Sequence, residues 1–510
     1  MAILIPLQPT LCQELPIVTG NVDYEIFRDT LLRIDELIEC SGIDIKVMTY
    51  LIEEAEKEGL KNWKGLIEKY PGLSLKRQKK IQQKARLIQR CLLIKELTGL
   101  GFRTLSARLA DSPLLQMFCK LTVINVVKVP SKSTLERYEK LFPENIIREC
   151  VMDLIQAAST PSGSEELKQK LRLEKEISMA DYYLDTTCVK ANIHYPVDWV
   201  LLRDGTRTLL KGIILIRRQG IKHRMDSPKQ FITKMNKLCI KMSQARNTKD
   251  SKKKRKKIFR EMKKLMKKIV KHGVRYRDLL AENWMNTDLT EKMTQQIIKR
   301  MDNVIKKMSE AIWQAHERII GERQVKNNAK ILSLYEEDIH VIIRKKADAM
   351  VEFGNILLLG EQSDGLIIDW KIYKDKVPND TTLLPESLIR IKETYGCFPD
   401  NATSDKGFFS KKNKKFLKDN EIKDYTCPRA IHELKERQIE NEFVDHQNRR
   451  AQTEARIGIF KNGFLGRPLR SKGFKNREIS VAWAVLAHNL WVLARLPQQE
   501  ELSEDQNKIA

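Results

Sequence analysis

The chain has no Cys-x-x-Cys pair, and its nine cysteines are scattered and odd in number. Neither a disulfide framework nor a zinc site is suggested. Aromatic residues make up only 7%, which argues against an aromatic-rich all-β protein. Long apolar runs are missing too. The most apolar late stretch, Ile479 to Leu496, contains His488, Asn489 and Arg495 and reads as a core helix rather than a membrane span. The opening MAILIPLQPTLCQELP lacks the basic n-region and apolar core of a signal peptide. Acidic charge is also short: 67 Asp+Glu face 93 Lys+Arg, a formal net charge of +26. Such an excess points to a polyanionic partner, nucleic acid before membrane. A reduced, cytoplasmic protein without membrane association is expected.

What is present supports folded cores. With 42% apolar and 31% charged residues over 510 positions, the chain is no disordered polymer, and its length suggests three or four domains. Apolar residues recur at helical spacing from Tyr24 to Glu58, and Pro71-Gly72 break the pattern. This gives an N-terminal helical region, 1–74. A second helical block, 75–177, opens with the basic KRQKKIQQKARLIQR and continues through TLSARLAD, SPLLQMFCKL and VPSKSTLERYEKLF. Ser131 or Ser133 is placed to cap the last of these helices. Short helices joined by tight turns fit either plain helical packing or a helix-turn-helix DNA reader.

The texture changes at Ser178, where MADYYLDTTCVKANIHYP reads as strand. Strand signals return at 349–360 and 365–375 as a hairpin. A helix (TLLPESLIRIKETYG), a short strand ending at NATSDKGF, a helix over 410–418, a strand at IKDYTCP and a helical block over 433–496 follow. This order predicts an α/β fold, a mixed sheet with helices on its faces, built from 178–212 and 335–497. Between those pieces lies a helical insertion, 213–334, and a polar tail, 498–510, ends the chain. Residues 211–280 hold 25 Lys+Arg and only four acids. Ile258, Met262, Leu265, Met266, Ile269 and Val270 form one apolar stripe there. The run Lys252, Lys253, Lys254, Arg255, Lys256 and Lys257 is a candidate DNA contact, because like charges so crowded are best neutralised by phosphates.

Three acids stand where a sheet enzyme needs them: Asp185 on the first strand, Asp405 at the end of a short strand, and Glu454 within a helix. Arg450 and Lys461 flank Glu454 at spacings of four and seven, so all three project from one helix face, with Gln447 on the same stripe. Such a stripe fits either a salt-bridged surface or, on a docked helix, a carboxylate that binds metal at its centre with phosphates on either side. Asp198, Asp204 and Asp369 read as structural or turn residues, and Trp199 and Trp370 as core residues rather than base-stacking platforms.

Asp185-Thr186-Thr187, Asp405-Lys406-Gly407-Phe408 and Arg450-x3-Glu454-x6-Lys461 resemble the three signature blocks of DDE transposases of bacterial insertion sequences. More narrowly they resemble the branch whose third block reads Tyr-x2-Arg-x3-Glu-x6-Lys. VEFGN, VAWAVLAHNLWVLARL and, towards the N-terminus, GFRTLSARLADSPLLQMFCKL with VPSKSTLERYEKL extend the likeness. Gln447 stands where the branch has Tyr. The resemblance implies a ribonuclease-H-like catalytic domain interrupted by the basic insertion. It also implies cleavage at terminal inverted repeats and strand transfer into target DNA, a dimer on double-stranded DNA, and a bacterial, nucleoid-associated location.

In-line attack on a phosphodiester builds charge on the entering and leaving oxygens, which two hard cations stabilise together. Three carboxylates suffice for two Mg²⁺ ions, with Mn²⁺ able to substitute. Asp185 is expected to bridge both ions, Asp405 and Glu454 to hold one each, and Arg450 and Lys461 to clamp phosphates. Three converging carboxylates also repel, so at least one pKa is expected to be raised. Two other readings stay open: a metal-dependent endonuclease of the same fold without strand transfer, and a catalytically inactive transposase-derived DNA-binding protein.

Overall fold

A computed structural model describes residues 4, 15, 18–62, 74–123, 126–159, 171–245, 250–346, 349–375, 377–466 and 468–498. All of the expected polar tail but Gln498 lies outside the described residues. The chain forms two compact units. The first comprises Met1–Val189, Ile356–Tyr373 and Val377–Ala510, and the second Lys190–Asn355 with Lys374–Lys376.

The helical pattern of 24–58 resolves into two helices, α1 (Val22–Cys40) and α2 (Ile43–Asn62). They are parted at Gly42, whose φ of +76° suits a residue without Cβ. Helix α3 (Leu75–Thr98) packs on α2. Its Arg90, fully buried, is held by Asp44 at 2.7 and 3.1 Å and by Asp35 at 2.7 Å, a charge placed in the core only because acids from two other helices surround it. Next come α4 (Phe102–Asp111), α5 (Pro113–Phe118), a small hairpin of β1 (Thr122–Val123) and β2 (Val126–Val127), α6 (Lys132–Tyr138) and α7 (Glu144–Ala158). Ser131, rather than Ser133, caps α6, its side chain accepting from Thr134 N at 3.3 Å.

The strand read at 179–196 is β3 (Asp181–Lys190). After the second unit come β4 (His340–Lys346), β5 (Ala349–Glu361), β6 (Ile367–Ile372), α12 (Asp380–Tyr395), β7 (Asn401–Ser404), α13 (Lys411–Asp419), β8 (Lys423–Asp424), α14 (Ile431–Arg437), α15 (Asn441–Ile459) and α16 (Phe474–Leu493). The fold is α/β with a six-stranded mixed sheet. In the first unit the strands run β6-β5-β3-β7-β8, with β5 and β6 antiparallel and β3, β7 and β8 parallel. In the second unit β4 pairs antiparallel with the first half of β5, a strand absent from the sequence reading.

Alternation along β3 assigns its two faces. Tyr182 and Leu184 are buried in the main core, and the Tyr182 hydroxyl meets Ser387 of α12 at 2.6 Å. Gly360 of β5 is what admits that ring: a Cβ there would lie 1.8 Å from the Tyr182 hydroxyl. Helix α16 is buried on nearly all sides and packs on α3 and α7, as a helix apolar all round should. Among the described residues no helix is long and apolar enough to cross a membrane. Trp370 is buried, with the Arg148 guanidinium 3.9 Å from its ring centre. Asp369 is buried against Arg390 at 2.5 and 3.0 Å.

The second unit contains four helices, α8 (Asp198–Arg218), α9 (Pro228–Gln244), α10 (Ser251–Asn283) and α11 (Glu291–Ile319), around their own apolar core. It starts at Lys190, ahead of the expected boundary at 213, which falls inside α8. That helix belongs with the others because Gly205 and Gly212 let α11 approach: added Cβ atoms would lie 2.1 Å from Met308 and 2.7 Å from Met301. Met262, Leu265, Met266 and Ile269 are buried as the stripe implies, joined by Phe259, while Ile258 and Val270 are half-buried. Trp199 is in this core, and Asp198, buried, accepts from Gln314 at 2.9 Å and Arg318 at 3.1 Å.

Candidate active site

Parallel pairing places two of the three acids. The register of β3 on β7 ends at Leu184 opposite Ser404. One step further along, Asp405, the residue that leaves β7, follows on the side of Asp185 in β3; neighbouring strands lie about 4.8 Å apart. Both side chains then leave the sheet on the face shared with Tyr183 and Thr403.

Helix α15 covers that face. Its His446 Nδ1 is 3.2 Å from the Tyr183 hydroxyl and 3.4 Å from Thr403 Oγ1. Arg449 donates to the buried Glu361 at 3.0 Å and to the carbonyls of Gln362 and Ser363, and Thr453 donates to the same Glu361 at 2.7 Å. These contacts fix the axial position of the helix, and with it Gln447, Arg450 and Glu454.

Each acid has a local partner. Asp185 Oδ1 accepts from the Thr186 amide at 2.6 Å, and Asp405 Oδ1 from the Gly407 amide at 2.7 Å. Glu454, half exposed, accepts from Arg450 Nη1 at 3.0 Å. Burial pushes the Asp185 carboxyl up to about 6, opposed by the Thr186 amide and Arg450 and reinforced by the negative charges of Asp405 and Glu454. The three acids therefore share one electrostatic site. Among the described residues, no three His, Cys, Asp or Glu side chains are gathered closely enough to hold a metal ion. Glu454 is instead turned towards Arg450.

The cations lie on the same face. Lys461, in a π-helical turn (Phe460–Leu465) that continues α15, donates to Thr187 Oγ1 at 2.9 Å. Thr187 is two residues beyond Asp185 and so projects from the same side of β3. Interruptions of this kind in an α-helix recur at functional sites.

Two further participants join the site, one of them, Gln447, on the expected stripe but with no role read for it. Gln447 donates to the Tyr425 carbonyl at 2.6 Å and accepts from Arg450 Nε at 3.1 Å, tying α15 to the chain leaving β8 and orienting the arginine. Asp380, at the start of α12, adds a fourth carboxylate. Its Oδ2 and Asp405 Oδ1 would each lie 2.9 Å from a Cβ placed on Gly407, so they are separated by no more than twice that distance. Its Oδ1 is also 3.5 Å from Thr186 Oγ1. An Asp in the first turn of a helix is ordinary, so no sequence signal singles it out. A Cβ at Gly407 would press on both carboxylates and turn them aside.

The basic run 252–257 lies at the start of α10 in the second unit. Lys252, Lys253, Lys254 and Lys257 are exposed, and Arg255 and Lys256 are half-buried. Lys252 and Lys256 both pair with Glu322, at 2.9 and 2.8 Å. Arg255 lies over the Trp199 ring, 5.5 Å from its centre. Set against family models, curated proteins and solved structures, the chain matches none of them.

Proposed function

We propose that the protein is a DNA transposase that cleaves phosphodiester bonds at the ends of its own element and joins them to a target, with Asp185, Asp405 and Glu454 as its chemical centre. The observation that carries this reading is electrostatic. Asp185, half-buried in the middle of the central strand, feels the charges of both Asp405 and Glu454, although 220 and 269 positions of sequence separate them from it. The order β6-β5-β3-β7-β8, with the two antiparallel strands on one side of β3 and the parallel ones on the other, supports the ribonuclease-H-like assignment.

The donor set fits a hard divalent cation: carboxylate oxygens with no His or Cys among them. Two Mg²⁺ ions held by Asp185, Asp405 and Glu454 would supply charge stabilisation to the entering and leaving oxygens. Glu454 would complete that set only on giving up its partner Arg450. Arg450 would then have its guanidinium free for a backbone phosphate, while Gln447 holds its Nε side in place. Lys461, anchored on Thr187, holds a second phosphate as a point charge. The helices α3–α6 are assigned to recognising the element ends, and the need to bring two ends together implies a dimer on DNA.

The test is a labelled duplex ending in the element's own terminal repeat, incubated with a target plasmid and Mg²⁺. Cleaved ends together with joined products support the proposal. Cleavage without joining assigns the protein as an endonuclease, and binding with neither assigns it as an inactive DNA-binding relative. A second expectation concerns Gln447. Gln447→Ala removes the tether to Tyr425 and the support of Arg450 together, and is expected to slow cleavage about tenfold, the lower range for losing a group that orients a site residue. Substrate binding and thermal stability should stay near wild type. An unchanged rate would show that Arg450 needs no such support.

A further inference from the structure

Consecutive helical residues are rotated by about 100°, so the run 252–257 wraps around α10 and forms no face. The periodic cations do. Lys253, Lys257, Arg260, Lys264, Lys267, Lys271 and Arg275 follow one another at steps of three or four and fall within an arc of about 80°. All seven are exposed, and none makes an ion pair among the described residues. The run from Lys253 to Arg275 covers about 33 Å at 1.5 Å per residue, close to one turn of duplex DNA at about 34 Å.

The surroundings select the partner. Along the ridge Glu261 is the exposed acid at its side, and Asp250, Asp278 and Glu282 stand only at its two ends; Asp226 pairs with Lys268 at 3.0 Å, and Glu322 with Lys252 and Lys256. The opposite face of α10, with Met262, Met266, Ile269, Tyr276 and Leu280, is buried in the unit's own core. A membrane-surface helix must keep its apolar face free to insert, and this one has none to spare. The ridge carries only Lys and Arg, and five of the seven are lysines, whose ammonium meets a phosphate as a point charge without a fixed geometry. Such a surface positions DNA without specifying it.

We infer that this ridge of α10 seats the phosphate backbone of duplex DNA of any sequence over about one helical turn. It is a sequence-independent grip, distinct from the recognition of element ends. The inference rests on the reading of the protein as one that acts on DNA and locates the contact on the periodic set rather than on 252–257.

The experiment uses the full chain and two unrelated 30-base-pair duplexes, with affinity measured against salt. Lys264→Gln/Lys267→Gln/Lys271→Gln removes three ridge charges. Lys234→Gln/Lys237→Gln/Lys241→Gln removes three exposed charges from α9 and controls for net charge. Each phosphate contact contributes about 0.9 to the slope of log affinity on log salt. The ridge variant is expected to flatten that slope by about 2.7 and to bind both duplexes at least about tenfold more weakly at 0.1 M salt, with the control within about 1 of the wild-type slope. An unchanged slope in the ridge variant, an equal loss in the control, or a loss confined to one duplex would overturn the inference. Cleavage that still depends on Asp405 would then leave the catalytic reading standing without the ridge.

Discussion

Asp405→Asn is expected to abolish DNA cleavage while leaving DNA binding intact. The substitution is close to isosteric, and its remaining carbonyl oxygen can still accept from the Gly407 amide that holds Asp405 at 2.7 Å. The turn after β7 should therefore persist, with Phe408 buried beneath it. What is lost is a negative oxygen donor beside Asp185 and Asp380. A hard cation is worth several kcal/mol of charge stabilisation to such a displacement, and about 4 kcal/mol corresponds to a rate loss near a thousandfold. Binding, carried by cations elsewhere on the chain, should hold or tighten slightly as a charge that repels phosphate disappears. Gel-shift and cleavage assays on one labelled duplex read both quantities. A variant that cleaves at the wild-type rate would remove Asp405 from the mechanism and with it the three-acid centre.

The legible parts of this molecule are those whose cause is local. The alternation in YYLDTTC shows a strand, and β3 has opposite faces on Tyr182 and Tyr183 as alternation demands. The stripe through Met262, Met266 and Ile269 shows which side of α10 is buried. Non-local causes are harder to read. Nothing near Asp185 in sequence indicates that its parallel neighbour begins at Asn401, because parallel strands need a crossover that hides the partner. Gln447 stands on the expected stripe, but its value comes from the Tyr425 carbonyl, which only the return of β8 supplies. The boundary at 213 misplaces α8 because its apolar face suits either a helix against the sheet or one in a bundle, and the small Gly205 and Gly212 that decide the matter are read only against Met308 and Met301. The charge run 252–257 stands out by density, whereas the longer ridge is a matter of period, a signal that the neighbouring lysines mask in the sequence.

Asp185→Asn should make the protein more stable at pH 8 in the presence of a chelator, even as it destroys the proposed activity. The Asp185 carboxyl has a folded-state pKa of about 6, above the unfolded value of about 3.9. The native state therefore holds its proton more tightly than the unfolded chain does. Its contribution to stability is full below about pH 4 and falls as pH rises towards 6. Above that, the ionised carboxylate sits at a cost, buried beside Asp405 and Glu454. A difference of about two units corresponds to about 3 kcal/mol. Asn resembles the protonated acid and avoids that cost at every pH. In thermal unfolding, the variant is expected to melt several degrees higher than wild type at pH 8, with the gap closing as pH drops through 6 and vanishing near 4. Adding Mg²⁺ at pH 8 should close the gap from the other side, raising the wild type more than the variant, because a ligand stabilises only the state that binds it. Equal melting temperatures at pH 8 with chelator would mean that Asp185 ionises there without penalty. The acids would then not share one electrostatic site, and the case for a centre that trades stability for catalysis would fail with them.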